Sequence, residues 1–141
     1  MKHKLFVTAC LLLLAGIMIS ASAQNLTGSW NIDNTVVKKT IDGFLSTKNY
    51  DKNQQPDCFA QCPRKIIFSG ENITFEFRDG KQASGTYEIQ GNKLIRKMSV
   101  AYFTYEWELQ GSILHLTCKM EYTIDGLSKA LEECHFYGTK E

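Results

Sequence analysis

Residues 65–122 read KIIFSGENITFEFRDGKQASGTYEIQGNKLIRKMSVAYFTYEWELQGSILHLTCKMEY, and this stretch decides the fold. Short runs of β-branched and aromatic residues alternate in it with the turn pairs Asp79-Gly80, Gly91-Asn92 and Gly111-Ser112. Each pair accepts the positive φ that a tight hairpin requires, so the chain folds back on itself about every ten residues. A meander with one apolar face must close or be covered, which predicts a small barrel or a sandwich.

The predicted fold is all-β, with eight antiparallel strands. Their boundaries, read from the alternation of apolar and polar residues, are 26–32, 65–69, 72–78, 82–90, 93–100, 102–109, 113–122 and 133–139. Residues 33–64 form the one long irregular region. Four apolar residues fall at helical spacing within it, and they predict a short amphipathic helix followed by a lid-like loop: Val37, Ile41, Phe44 and Leu45.

A second helical turn is predicted over residues 125–131. The five residues from Thr40 to Phe44 also resemble those from Thr123 to Leu127, since both contain Ile-Asp-Gly. Five residues are too few to establish a duplication. Shared turn chemistry or chance is the preferred explanation.

Residues 1–23 are predicted to be a signal peptide. Lys2 and Lys4 give a basic start, residues 5–19 are almost entirely apolar, and small residues precede Gln24. Because the apolar run is shorter than the roughly 20 residues that span a bilayer, a transmembrane anchor is disfavoured. Most of the run follows Cys10, so a lipoprotein anchor at that cysteine is also disfavoured. The mature domain is therefore 24–141, exported to the periplasm or secreted.

Composition and motifs exclude several classes of function. The chain has 16 Lys and Arg against 15 Asp and Glu, so it carries no basic surface of the kind that binds nucleic acid. It lacks the nucleophile elbow, the zinc-protease motif and a phosphate-binding glycine loop. We therefore predict no enzyme activity, no cofactor and no metal. His115 and His135 are expected to face outward as diagonal neighbours on adjacent strands.

Four cysteines lie in the predicted mature domain: Cys58, Cys62, Cys118 and Cys134. An even number in an exported chain of this size predicts two disulfides, for which three pairings exist. A hairpin centred near Gly126 would place Cys118 opposite Cys134, which favours that pair and a second bridge between Cys58 and Cys62. A zinc site is the alternative, although the spacing lacks the close cysteine pairs of zinc ribbons.

Gly28-Ser29-Trp30 in the first strand, followed by a long loop and a run of hairpins, resembles the calycin group. More narrowly, it resembles the small exported lipocalin-like domains common in Bacteroidota. This resemblance implies an up-and-down β-barrel in which Trp30 closes one end and the other end admits a hydrophobic ligand. The last strand lacks the arginine that usually packs on this tryptophan, and Lys140 is the candidate to replace it. The chain is also shorter than typical lipocalins.

Strand alternation predicts which side chains point into the barrel. The candidate ligand-binding set is Arg96, Tyr87, Tyr105, Phe75, Phe77, Phe103 and Trp107. An arginine in an apolar interior needs an anionic or hydrogen-bonding partner, since an unpaired buried charge is costly. A ligand carboxylate would serve, with tyrosine hydroxyls adding contacts. In the alternative, a β-bulge reverses the register and Arg96 reaches solvent.

Two functions follow from this sequence. The first is a binding protein that holds a small hydrophobic ligand in the barrel, with a carboxylic acid as the ligand that Arg96 would favour. In the second, aromatic side chains fill the barrel and the cysteine-pinned loop of residues 49–64 binds a protein partner.

Overall fold

The computed structural model describes residues 25–141; the predicted signal peptide, residues 1–23, and Cys10 lie outside the described residues. The described chain forms nine antiparallel strands. They are β1 (Gly28–Ile41), β2 (Phe44–Asp51), β3 (Lys65–Ser69), β4 (Asn72–Glu76), β5 (Gln82–Gln90), β6 (Lys93–Lys97), β7 (Tyr102–Gln110), β8 (Ile113–Ile124) and β9 (Ser128–Lys140).

Strand β1 closes the sheet into a barrel. Its first residues pair with β3 and nearly its whole length pairs with β9, so β1 and β3 to β9 form a closed eight-stranded antiparallel barrel. Strand β2 pairs with the second half of β1 and lies outside this ring. The predicted all-β, up-and-down barrel is confirmed.

The helix predicted around Val37 to Leu45 is wrong, because this segment is the β1–β2 hairpin. Asp42 and Gly43 have φ of 48° and 87°, the two positive values of the turn that best suits a two-residue hairpin. The second half of β1 pairs with β2 on one edge and β9 on the other. That double pairing outweighs the weak helical spacing of four apolar residues.

The helical turn predicted over residues 125–131 is also wrong, and for the same reason. Asp125 and Gly126 have φ of 51° and 71°, and β9 begins at Ser128 rather than at Glu133. Both Ile-Asp-Gly segments are therefore hairpin turns, with a two-residue loop between Ile41 and Phe44 and a three-residue loop between Ile124 and Ser128. They lie side by side, since Asp42 N donates a hydrogen bond to the Lys129 carbonyl at 3.2 Å.

One end of the barrel, which we call the tryptophan end, is closed by apolar side chains. Trp30 is 2% exposed, and its indole Nε1 donates to the Leu26 carbonyl at 2.8 Å. Lys140 Nζ lies 5.7 Å from the centre of the Trp30 ring, within the distance of a cation–π contact. The core that packs here includes the fully buried Leu26, Ile66, Ile73, Leu94 and Leu114.

The opposite end, which we call the loop end, is crossed by residues 52–64, the lid loop. The lid loop forms hydrogen bonds with Glu132 on β9, with Arg96 on β6 and with Arg78 after β4. The predicted long loop is thus present, but it starts after β2 and covers the mouth directly.

The alternation that predicts an inward Arg96 is kept across the β5–β6 and β7–β8 hairpins. Tyr87 pairs with Arg96, Ile89 with Leu94, and Trp107 with Leu116. Arg96 is fully buried, so the alternative in which a bulge exposes it is wrong. Strand alternation would also point Val100 inward, but Val100 is 93% exposed because β6 ends at Lys97.

Candidate ligand site at the loop end of the barrel

Arg96 lies inside the barrel on an aromatic platform. Its guanidinium carbon is 3.9 Å from the centre of the Phe75 ring and 5.6 Å from that of Phe103. The Phe75 ring centre is 6.0 Å from Tyr105 and 6.4 Å from Phe77. Phe77 and Phe103 are only partly buried. Five of the seven candidate residues therefore lie together, beneath the lid loop.

The hydrogen bonds of Arg96 are few and uncharged. Nη1 donates to the side-chain oxygen of Gln61 at 2.9 Å, and Nη2 lies 3.4 Å from the Ala83 carbonyl. Nε is buried and has no hydrogen-bond partner among the described residues. None of the ion pairs within residues 25–141 includes Arg96. The site is a buried guanidinium without a protein carboxylate.

Tyr105 contributes a neutral hydroxyl beside this guanidinium. Burial raises the pKa of Tyr105 to about 12, with smaller contributions from Cys118 in the same direction and from Arg96 in the opposite one. The phenol therefore stays protonated at neutral pH and can donate a hydrogen bond.

A second guanidinium borders the site. Arg78 Nη1 lies 3.3 Å from the Cys62 carbonyl, whereas its Nε and Nη2 are buried without a partner. Burial lowers the pKa of Arg78, and Asp51 partly offsets this effect. A cleft of about 470 Å³ opens here between lid-loop residues, among them Gln61, and the β4–β5 turn from Phe77 to Asp79.

Gln61 separates Arg96 from solvent. It is an exposed residue, yet its side-chain oxygen reaches Nη1 of the buried arginine. The guanidinium is thus one side chain away from the cleft.

The other two candidate residues lie elsewhere. Tyr87 is opposite Arg96 in the β5–β6 ladder, but its ring packs edge-on against Phe68 at 5.0 Å. Trp107 is half-buried, and its indole nitrogen donates to the Gly91 carbonyl in the β5–β6 turn. Both face the tryptophan side of the site rather than its mouth.

Glu132 fastens the lid loop to the barrel wall. It is fully buried, and its Oε1 accepts hydrogen bonds from the backbone nitrogens of Phe59 at 2.8 Å and Ala60 at 3.2 Å. Its Oε2 lies 3.4 Å from the Tyr122 hydroxyl and 3.6 Å from Lys39 Nζ. The two carboxylate oxygens therefore have different partners, and neighbouring elements supply the partners of both.

The cysteines behave partly as predicted. Cys58 and Cys62 form a disulfide within the lid loop. Cys118 and Cys134 are directly opposite in the β8–β9 ladder, as expected, but both thiols are free and buried. Opposed strand positions form a bridge only in suitable pleat geometry. Here the Cys134 sulfur lies instead beside the lid-loop cysteines and 3.5 Å from Glu132 Oε1.

Burial raises the pKa of both free thiols, and Glu132 raises each of them further. They are therefore protonated and weakly nucleophilic at neutral pH.

The two histidines lie on the outer wall as diagonal neighbours, as predicted. His115 Nε2 and His135 Nδ1 are 2.9 Å apart, and each ring also contacts a glutamate. Burial lowers the pKa of His135, opposed by Glu133. This cluster is remote from the barrel interior.

The sequence interpretation missed three residues of the loop end: Gln61, Arg78 and Glu132. Glu132 has the same parity as Cys134 along β9, so correct placement of that strand would have pointed it inward. Gln61 belongs to a loop without periodicity, and no pattern in the sequence identifies it.

Comparison with known proteins gave no match: no family model fits this chain, and no curated protein or solved structure is significantly similar to it. Among residues 25–141 no helix is long and apolar enough to cross a membrane. The lid-loop disulfide indicates a compartment other than the cytoplasm, because such bonds persist where thiols are oxidised.

Proposed function

We propose that this protein is an exported, lipocalin-like binding protein that holds a small hydrophobic carboxylic acid at the loop end of its barrel. Arg96 binds the carboxylate, and the rings of Phe75, Phe77 and Phe103 contact the apolar part of the ligand. The lid loop covers the mouth. Export would place the protein in the periplasm or the extracellular medium.

The single observation that carries this proposal is the buried Arg96 without a carboxylate partner. Burying a guanidinium costs several kcal/mol unless an anion compensates, and an amide oxygen compensates only in part. Arg96 retains unused donor capacity at Nε. A carboxylate can accept two parallel hydrogen bonds from the guanidinium fork, which the single oxygen of Gln61 cannot.

Entry of the ligand requires a local change in the lid loop at Gln61. In the structure Gln61 occupies Nη1 of Arg96, so the incoming carboxylate must displace that amide. The adjoining cleft beside Phe77 and Arg78 gives a route from solvent. The flanking anchors, Cys58–Cys62 and Glu132, can stay in place while Gln61 changes rotamer.

The test compares ligands that differ only in the head group. A medium-chain fatty acid and the alcohol of equal length are titrated against the delipidated protein by calorimetry. We expect the acid to bind more tightly by about 10- to 100-fold, the value of a charge-assisted hydrogen bond. Arg96→Met should abolish the difference by weakening the acid alone.

The control is Arg64→Met, which removes an exposed guanidinium paired with Glu76 outside the barrel. It should leave the preference for the acid intact. Native mass spectrometry of the freshly purified protein adds a second readout, since a co-purifying acid would be lost in Arg96→Met. Equal affinity for acid and alcohol, or no binding of either, would refute the proposal.

One observation favours the second function, an interaction module. Phe59 on the lid loop is 68% exposed although the loop is fixed on both sides of it by Cys58–Cys62 and by Glu132. A rigidly presented aromatic side chain is a typical anchor of a protein interface. Phe59→Ser should then abolish capture of a protein partner without changing fatty-acid affinity; unchanged capture would count against this function.

A further inference from the structure

We propose that Cys58, Cys62, Cys134 and Glu132 form a metal site of the zinc class when the lid-loop disulfide is reduced. This site is independent of the Arg96 ligand site. It would join the lid loop to β9 through the metal ion.

Three cysteine sulfurs already lie close together. The Sγ atoms of Cys58, Cys62 and Cys134 all lie within 4.8 Å of one another. Tetrahedral zinc with Zn–S bonds of about 2.3 Å holds its sulfurs about 3.8 Å apart. Small side-chain rotations would therefore suffice to place an ion between the three thiolates once Cys58 and Cys62 are separate.

Glu132 is the fourth ligand of the proposed site, and its carboxylate must shift to reach the ion, because it lies outside the group of donor atoms that are all within 4.8 Å of one another. Its Oε1 is 3.5 Å from Cys134 Sγ. Zn–S and Zn–O bonds of about 2.3 and 2.0 Å at a tetrahedral angle separate sulfur from oxygen by about 3.5 Å. The donor set of three thiolates and one carboxylate satisfies zinc's preference for four ligands.

Neighbouring elements orient this carboxylate beside Cys134. Phe59 N and Ala60 N, which lie between the two lid-loop cysteines, donate to Oε1, while Lys39 and Tyr122 contact Oε2. Hydrogen bonds of this kind orient a metal ligand and tune its affinity. Lys39 also offsets part of the negative charge that three thiolates and a carboxylate would bring.

Cys118 is not a ligand in this arrangement. It is buried opposite Cys134 on β8, but it does not belong to the group of converging sulfurs. This placement makes it a matched control: a free, buried cysteine on the adjacent strand.

The metal-bound and disulfide states exclude each other. A dithiol reductant converts the Cys58–Cys62 disulfide into two thiols and is itself oxidised to a disulfide. Binding of the ion then releases three thiol protons to solvent and forms three metal–thiolate bonds and one metal–carboxylate bond. In an oxidising compartment, the ion must arrive before the disulfide closes.

The experiment titrates Co²⁺, a spectroscopic substitute for Zn²⁺, into the full chain carrying Cys10→Ser. The reduced protein should bind one equivalent, with thiolate charge-transfer absorption and the intense visible bands of tetrahedral cobalt. The oxidised protein should show neither. Zn²⁺ should displace Co²⁺ and should slow closure of the Cys58–Cys62 disulfide on exposure to air.

The variants distinguish this site from other arrangements. Cys58→Ser and Cys134→Ser should abolish the charge-transfer band or weaken cobalt binding about 100-fold. Glu132→Gln should weaken cobalt binding about tenfold or more. Cys118→Ser should bind cobalt as tightly as the parent protein does. Near-ultraviolet circular dichroism checks that each variant is folded. The proposal is overturned if Cys118→Ser is as damaging as Cys134→Ser, if oxidised and reduced proteins bind cobalt equally, or if folded Cys58→Ser binds as the parent does.

Discussion

The two ends of this barrel are closed in opposite ways. At the tryptophan end, Trp30 and Leu26 cover the core with apolar surface, and the single indole donor is satisfied by a backbone carbonyl. At the loop end, two fully buried charged side chains, Arg96 and Glu132, depend on a loop for their hydrogen bonds. Apolar closure is stable but offers a ligand nothing to exchange. At the loop end, a ligand could replace the hydrogen bonds of the loop with its own, which is why we propose the binding site there.

The difference between the ends should be largest in stability. Trp30→Ala removes the largest side chain at the closed end, and we expect a loss of about 3–5 kcal/mol in the free energy of unfolding. Urea denaturation measures it. Trp107→Ala, at a half-buried position on the wall, should cost clearly less. Equal losses would mean that Trp30 does not close the barrel.

The second test concerns buried polarity near the loop end. The pKa of Tyr105 is raised to about 12 by burial, above the value of 10.0 for an unperturbed phenol. A folded-state pKa above the unfolded one means that the stabilisation is complete below pH 10 and is lost as pH rises through 12. The full difference is about 2–3 kcal/mol.

Plots of the free energy of unfolding against pH for the parent and for Tyr105→Phe should therefore diverge above pH 10, with the parent losing more stability. Tyrosinate absorbance should show one late-titrating phenol that is missing in the variant. Parallel curves for the two proteins would show that Tyr105 ionises normally.

Much of this comparison was accessible from the sequence. The glycine-containing turns and alternating strands of residues 65–122 predicted the barrel and the inward position of Arg96 correctly, because the pleat has a period of two and each turn fixes its register. The errors fell where two Asp-Gly turns were interpreted as parts of helices. There the local spacing of apolar residues competed with strand pairing over long distances, which a sequence pattern does not contain.

The polar contacts of the loop end were the least accessible part. Glu132 falls between the predicted helical turn of residues 125–131 and the predicted last strand of residues 133–139, and Gln61 lies in an irregular loop. Which loop atom meets which barrel atom depends on the path of the whole chain. Sequence could indicate that Arg96 needs a partner, but it could not identify that partner.

Removal of Glu132 tests how the lid loop is attached. Glu132→Ala leaves the backbone nitrogens of Phe59 and Ala60 without their acceptor, and we expect a cost of about 1–3 kcal/mol. Amide hydrogen exchange at Phe59 and Ala60 should accelerate while exchange at the tryptophan end stays slow. The matched control is Glu133→Gln, an outward neighbour that contacts His135. Unchanged exchange in Glu132→Ala would show that the loop is held otherwise.

Gln61→Ala tests the covering of Arg96 more gently. The lost amide removes one hydrogen bond, worth about 1 kcal/mol, and water can replace it because the residue is exposed. We expect little loss of stability but faster association of the fatty acid, measured by stopped-flow fluorescence. Gln55→Ala, at another lid-loop residue that lines the cleft, is the control. Slower association would contradict the role of Gln61 as a cover.

The smallest effect on stability, and the most informative, is expected for Arg96→Met. If Arg96 is a structural element of the loop end, as Glu132 is, its loss should destabilise the protein by a similar amount. If Arg96 is instead a buried cation whose anionic partner is the ligand, an apolar replacement removes the cost of burying the charge. The free energy of unfolding should then stay unchanged or rise by about 1 kcal/mol. Urea unfolding of the ligand-free variant decides between the two.

A loss as large as that of Glu132→Ala would place Arg96 among the structural residues and remove the main support for a carboxylate site. In a protein that already carries Arg96→Met, Gln61→Ala should not change the free energy of unfolding further, because the guanidinium that Gln61 binds is absent.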